Sequence, residues 1–293
     1  MSEAAKTEYN GESVRKTIMG ALYVVGATVL WSAVPICAKF ALRAVDAYTI
    51  CWIRFAVGSL ILLTLRRGHI IRRTVSVNEW ALLALGAVGI GGNYVMYIRG
   101  IQSTTASAGN IVVQFEVISL VILSYFVLKE RMTPSKILGM FVTFLGVMIA
   151  LWNGESLRSL LASENFFGNL LILVAAPLWA VYGIAQKILA DRGFGISSSL
   201  AYIFSIAAVL TFPAAAMGFD VHGKFTASVI IALIVVSVFG TAAAYVMIGK
   251  GFELLNASTA GMITCLLPIF TILNARVFLN EQLTPCSHWE PCS

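Results

Sequence analysis

With 293 residues, 59% of them hydrophobic and only 12% charged, the chain lies far from the roughly quarter-charged composition of a soluble domain, which excludes a water-soluble globular fold. The net charge of +6 does not mark a nucleic-acid binder, because the basic residues are scattered through short loops between apolar runs, the distribution that orients helices in a membrane. The composition is that of an all-α polytopic membrane protein.

A helix needs about 20 apolar residues to cross about 30 Å of hydrocarbon. Six uncharged runs qualify outright: Thr17–Ala38, Ala81–Ile98, Phe166–Gln186, Phe194–Phe219, Phe225–Gly249 and Leu254–Ala275. Three more qualify with allowances, since Ala47–Leu65 contains Arg54, Ile101–Leu128 contains Glu116, and Ile137–Trp152 is short. None alternates with the two-residue period of a barrel strand, so nine helical spans are predicted.

Residues 1–16 are polar and mixed in charge and read as a disordered arm. Arg15 and Lys16 precede an uncharged run too long for a signal peptide, and no small-residue cleavage site follows, so that run is the first span. Within it Trp31, Pro35 and Lys39 recur at four-residue spacing and share a face, with Pro35 able to kink the helix. In the second span Arg54 falls near mid-membrane, a placement that costs about 2.5 to 3.5 kcal/mol unless compensated. The third carries Gly86, Gly89, Gly91 and Gly92, which let backbones approach, and then Asn93, Tyr94 and Tyr97. In the fourth, Asn110 and Gln114 share a face opposite Glu116, and polar groups this deep point into a bundle or cavity. Glu116 is the expected partner of Arg54, as a structural ion pair or as a carboxylate that takes a proton or a substrate ammonium. Thr133 and Pro134 open the fifth span as N-cap and first helical residue, and Gly139 and Gly146 give it a packing stripe. A polar linker, residues 153–165, follows.

The second half repeats the first. Tyr94, Gly100, Ser107, Leu128, Glu130 and Thr133-Pro134 return as Tyr245, Gly251, Ser258, Leu279, Glu281 and Thr284-Pro285, each 151 residues later. Trp31 and Lys39 return at an offset of 148 as Trp179 and Lys187, with Gly183 and Pro177 in the place of the helix-weakening proline. Thr241 precedes Tyr245 by one turn, and the ninth span carries Ser258, Gly261, Cys265 and Pro268. Thr284-Pro285 announces a tenth helix, but the eight residues after it, 286–293, are too few and too polar to cross a bilayer. The expected organisation is therefore an arm (1–16), a five-span repeat (17–152), the linker, a repeat with four spans visible (166–285) and an atypical tail.

With the amino terminus inside, thirteen of the Lys and Arg in the arm and the loops between the nine spans face the cytoplasm and five face outward: Lys39, Arg43, Arg99, Arg158 and Lys224. A repeat of five spans forces the second copy to run inverted. Two inverted halves imply a pseudo-twofold axis in the membrane plane and a central cleft that closes at either end, the architecture of alternating access.

The Trp-rich first helix ending in Lys, Arg54 in the second, the small-residue entry to the fourth, and the run Leu128-Lys129-Glu130-Arg131-Met132-Thr133-Pro134, echoed by Pro268 and Phe278 to Pro285, resemble the drug/metabolite transporter superfamily, EamA type. The resemblance covers about residues 18–285, and within the superfamily the chain is similar to aromatic amino acid exporters. It implies ten helices, both termini inside, a multi-pass protein of the inner (plasma) membrane, and a cavity lined by helices 1, 3, 4, 6, 8 and 9. Helices 5 and 10 would be peripheral; this sequence departs by lacking the tenth.

The expected function is export of small amphipathic metabolites, amino acids foremost, with cationic drug efflux by proton exchange as the alternative. The expected substrate-binding residues are Trp31, Lys39, Asn93, Tyr94, Tyr97, Asn110, Gln114, Trp179, Tyr182, Lys187 and Tyr245, with Glu116 and Arg54 as coupling group or ion pair. Lys39 and Lys187 either anchor helix ends at the headgroups or meet a substrate carboxylate in opposite states. Two of the six aromatic residues in this set are expected to pack helices rather than line the cavity. No catalytic residue, cofactor or metal is expected. The three histidines, His69, His222 and His288, all lie in loops, and Cys286, His288 and Cys292 offer three zinc ligands without a fourth. Cys37, Cys51 and Cys265 read as small apolar residues within spans. The expected partners are a small-molecule substrate and the bilayer, with the chain a monomer or a homodimer.

Overall fold

A computed structural model describes residues 3–65, 74–104, 109, 111–152, 165–218, 220 and 223–279. Asn110, Ser107, linker residues 153–164, and the chain from Asn280 on, with Glu281, Thr284-Pro285, Cys286, His288 and Cys292, lie outside the described residues. Within the described residues, six helices are long and apolar enough to cross a membrane, and three shorter apolar helices complete the order foreseen.

The first helix is Glu3–Ser32 followed by Val34–Ala41, broken at Ala33; the polar stretch expected as a disordered arm is helical from Glu3, and the apolar spanning part falls within Glu12–Ala41. The cause is Pro35, whose missing N–H cannot serve the carbonyl four residues back and whose ring crowds it. The second span is Ala47–Leu65, with the Asp46 carboxylate accepting the Tyr48 and Thr49 N–H groups at its start, 2.9 and 3.0 Å. The third, Val77–Gln102, opens on a capping box: Ser76 accepts from the Glu79 N–H, and Glu79 accepts from the Ser76 N–H at 2.9 Å. It runs through Ile101 and Gln102, so these residues close the third span instead of opening the fourth. The fourth helix is Phe115–Val127 and the fifth Pro134–Trp152.

The second repeat gives Phe166–Asp191, Ile196–Met217, then an eighth span with a π-helical middle. In that span Ala227–Ile234 and Ala244–Leu254 are α-helical and Val235–Ala243 has the wider turn. The ninth span, Ala257–Ile263 and Leu267–Leu279, is interrupted by a 3₁₀ turn at Thr264–Leu266 just before Pro268.

Helix contacts come in symmetry-related pairs, as two inverted copies require. The third span packs on the sixth and the eighth on the first; the fourth packs on the sixth and the ninth on the first; the second meets the seventh. The third and sixth cross backbone to backbone: a β-carbon on Gly100 would stand 2.7 Å from the Gly168 carbonyl oxygen, and one on Gly89 2.7 Å from that of Leu178. Only glycine permits this approach. The fifth span sits at the edge on the fourth, with Ile137, Leu138, Phe141 and Val142 exposed where lipid would cover them.

Candidate functional site

At the centre, residues in equivalent places of the two repeats touch. The Tyr245 hydroxyl donates to the Tyr94 hydroxyl at 3.0 Å, and the Trp31 and Trp179 rings meet edge to face with centroids 6.0 Å apart. A residue meets its own repeat mate only beside the symmetry axis, so the pseudo-twofold runs through this aromatic cluster. Around it Trp31 and Tyr182 pack on Tyr245 at 5.2 and 5.3 Å, and Tyr97 on Tyr94 at 6.1 Å.

Beside the cluster lies a hollow with about 390 Å³ of space unoccupied by protein, its mouth included. Trp31, Val34, Asn93, Tyr94, Tyr97, Val113, Glu116, Trp179 and Leu267 form its wall. Four of the six aromatic residues named from the sequence stand on that wall. Tyr182 and Tyr245 do not: both are fully buried, and they hold the helices behind it. The apolar members Val34, Val113 and Leu267 carry no signal in the sequence that separates them from core residues.

Arg54 corrects the expected ion pair. It forms no salt bridge with Glu116; it is fully buried, with its guanidinium 3.4 Å from the centroid of the Tyr94 ring. Its Nε donates to the Thr241 hydroxyl at 2.9 Å and its Nη2 to the Gly240 carbonyl at 3.4 Å. The π-helical turn makes this possible. Thr241 returns its own proton to the carbonyl five residues back, Val236, at 2.8 Å, and the widened turn leaves the Gly240 carbonyl to accept from both Arg54 and the Trp31 indole, the latter at 3.1 Å. A cation–π contact and oxygen dipoles thus do what a carboxylate was expected to do.

Glu116 faces the hollow instead. Its Oε1 accepts from the Asn93 Nδ2 at 2.7 Å, and Asn93 uses the same amide nitrogen to reach the Ala175 carbonyl at 3.0 Å. Gln114, expected on the face opposite Glu116, stands with it on the wall of an adjoining smaller hollow. The reason is local: Gln114, Glu116 and Val117 each donate to a carbonyl three residues back, and the tightened turn rotates Gln114 round to the Glu116 side.

The two lysines hold helix-end groups in this structure. Neither lines the hollow: Lys39 donates to the Thr104 carbonyl at 2.7 Å, and Lys187 pairs with Asp191 at 2.9 Å. The Lys39 contact closes one end of the bundle, where the Thr104 hydroxyl also donates to Asn169 at 2.8 Å.

The other end is sealed more deeply. Leu120 is fully buried with its methyl groups against Gly183 and Gly261, where added β-carbons would lie 3.0 and 2.9 Å away. Beyond it Glu130 reaches across the repeats to the start of the ninth span. It accepts from the Ala257 N–H at 2.8 Å, the Ser258 N–H at 3.3 Å, the Ser258 hydroxyl and the Lys136 ammonium, which also reaches the Ser258 hydroxyl. Glu130 was read from the sequence only as part of a repeated motif; its recurrence before Thr-Pro in both halves is the signal that pointed to it.

An all-helical membrane bundle of two inverted repeats around a central hollow is the architecture of a secondary transporter. The EamA-like transporter family model matches residues 18–152 and 166–287, the two repeats, and the chain belongs to that family. It is 23% identical to the Uncharacterized inner membrane transporter YhbE of Escherichia coli (strain K12) over 87% of this chain and 79% of that one. It is 25% identical to an uncharacterized transporter of Archaeoglobus fulgidus over 87% of each chain. A crystal structure with 18% identity superposes with a TM-score of 0.74, covering 91% of this chain and 92% of the other, which supports the same fold.

Proposed function

We propose that this transporter exports small amphipathic metabolites, neutral and aromatic amino acids foremost, across the inner membrane by alternating access, with its amino terminus in the cytoplasm. One observation carries the reading: a hollow beside the pseudo-twofold axis whose wall is four aromatic rings and three aliphatic side chains apart from one polar pair, Asn93 and Glu116. Aromatic faces receive an apolar side chain, and the polar pair orients the charged end. Proteoliposomes preloaded with labelled phenylalanine, methionine or threonine test it. Saturable efflux of at least one is expected, and no saturable flux for any amino acid would end the proposal.

Efflux of cationic compounds in exchange for protons is the second reading, favoured by Glu116 being the charged residue among those on the wall. Uptake of a quaternary ammonium compound driven by an imposed pH gradient, with amino acids unmoved, would select it.

A further inference from the structure

The two repeats differ where the hollow is polar. At the 151-residue offset that carries Tyr94 onto Tyr245, Asn93 falls on Ala244 and Glu116 on Leu267. Leu267 stands on the wall of the same hollow as Glu116. One wall therefore has a carboxylate and an amide, and its mate an isobutyl group.

The Asn93 amide holds Glu116 by Oε1, and the described residues give Oε2 no hydrogen bond. No described cation neutralises the carboxylate. Arg54 is engaged by Tyr94, Thr241 and Gly240, Lys39 by Thr104, Lys136 by Glu130 and Lys187 by Asp191. A carboxylate in a bilayer-depth hollow without a counter-charge is costly, and a cationic ligand relieves that cost. Trp31, Tyr97 and Trp179 share the wall with Tyr94, one face of which Arg54 covers, and free aromatic faces attract an ammonium while disfavouring an anion.

We propose that Glu116 Oε2, oriented by Asn93 on a wall it shares with these rings, is a subsite for a substrate ammonium group, and that the apolar remainder of the ligand lies toward Leu267. The ligand class is a monocation or zwitterion with an amine at one end and a hydrocarbon or ring at the other; a carboxylate is not required. This rests on the export reading and narrows it.

Three probes of one shape separate the possibilities: phenylalanine, phenethylamine, which lacks the carboxylate, and 3-phenylpropionate, which lacks the amine. Binding to the purified full chain is followed by tryptophan fluorescence and confirmed by competition against labelled phenylalanine in proteoliposomes. Phenylalanine and phenethylamine are expected to bind comparably, with 3-phenylpropionate weaker by about tenfold or more, the loss for removing a charged hydrogen-bond partner. Glu116→Gln is expected to erase that preference, and Asn93→Ala to weaken both amines several-fold. Equal binding of all three by the unmodified chain overturns the subsite and leaves the export reading intact. Preference for 3-phenylpropionate, or an undiminished amine preference in a folded Glu116→Gln, also overturns the subsite. Saturable binding of none overturns the subsite, and with no saturable efflux of phenylalanine, methionine or threonine either it overturns the export reading as well.

Discussion

The two repeats share their scaffold and differ at their site. Trp31 and Trp179, Tyr94 and Tyr245, and the helix crossings of the third span on the sixth and the eighth on the first are matched across the axis. Asn93 and Glu116 have Ala244 and Leu267 as mates, and Arg54 draws on a π-helical turn found in the eighth span alone among the described residues. Duplication supplies two matched halves; divergence of a few wall residues makes the hollow polar on one side only. A fully symmetric hollow would not distinguish one end of a substrate from the other.

Substitutions at matched positions test how far the halves are interchangeable. The largest contrast is expected at the helix crossings. Gly100→Val puts a β-carbon against the Gly168 carbonyl, which cannot yield, whereas at its mate Gly251 the obstructing atom is a methyl of Val24. Gly100→Val should cost about 3 kcal/mol and Gly251→Val about 1 kcal/mol, read from denaturant unfolding in detergent. Equal losses would mean that the crossings are alike despite what lies opposite each.

Next is the wall itself. Glu116→Leu makes the first repeat carry the residue of the second, and phenylalanine efflux should fall by about tenfold or more with folded yield retained. Unchanged efflux would show that the asymmetry is incidental to transport.

The ends of the bundle come third. Glu130 makes a charge-assisted clasp between repeats, and Glu130→Gln should weaken it by about 1 to 2 kcal/mol. A cysteine at position 120, in a chain whose own cysteines are replaced, should then react faster with a thiol reagent applied from the Glu130 end. The same rate with and without the substitution would show that Glu130 does not hold this end closed. The smallest effect is Ser76→Ala, which opens the capping box of the third span at a cost of about 1 kcal/mol with efflux unchanged, since Ser76 lies far along the helix from the hollow.

Much of this arrangement is legible in the sequence. The offsets pair Tyr94 with Tyr245 and Trp31 with Trp179 as repeat mates; that these mates touch is what the structure adds. Pro35 foretells the break at Ala33 by its missing donor, and Thr133-Pro134 the start of the fifth helix. The partners of Arg54 were not legible. They arise from a carbonyl that a π-helical turn leaves available, and no residue between Val235 and Ala243 announces a wider turn. For the same reason the nearest carboxylate in the spans was a reasonable but mistaken partner. Lys39 and Lys187 have stems long enough to bend away from the face their spacing assigns them, and each does so toward a carbonyl or carboxylate near a helix end.

The account depends most on the hollow beside Tyr94 and Tyr245 being where substrate binds. A single cysteine at Val113, on the hollow's wall, tests this with a membrane-impermeant maleimide in the presence and absence of saturating phenylalanine. Labelling that falls as phenylalanine is added, along the same concentration curve as efflux, is the predicted result. Labelling at an unchanged rate while efflux saturates would place the route elsewhere and contradict the account.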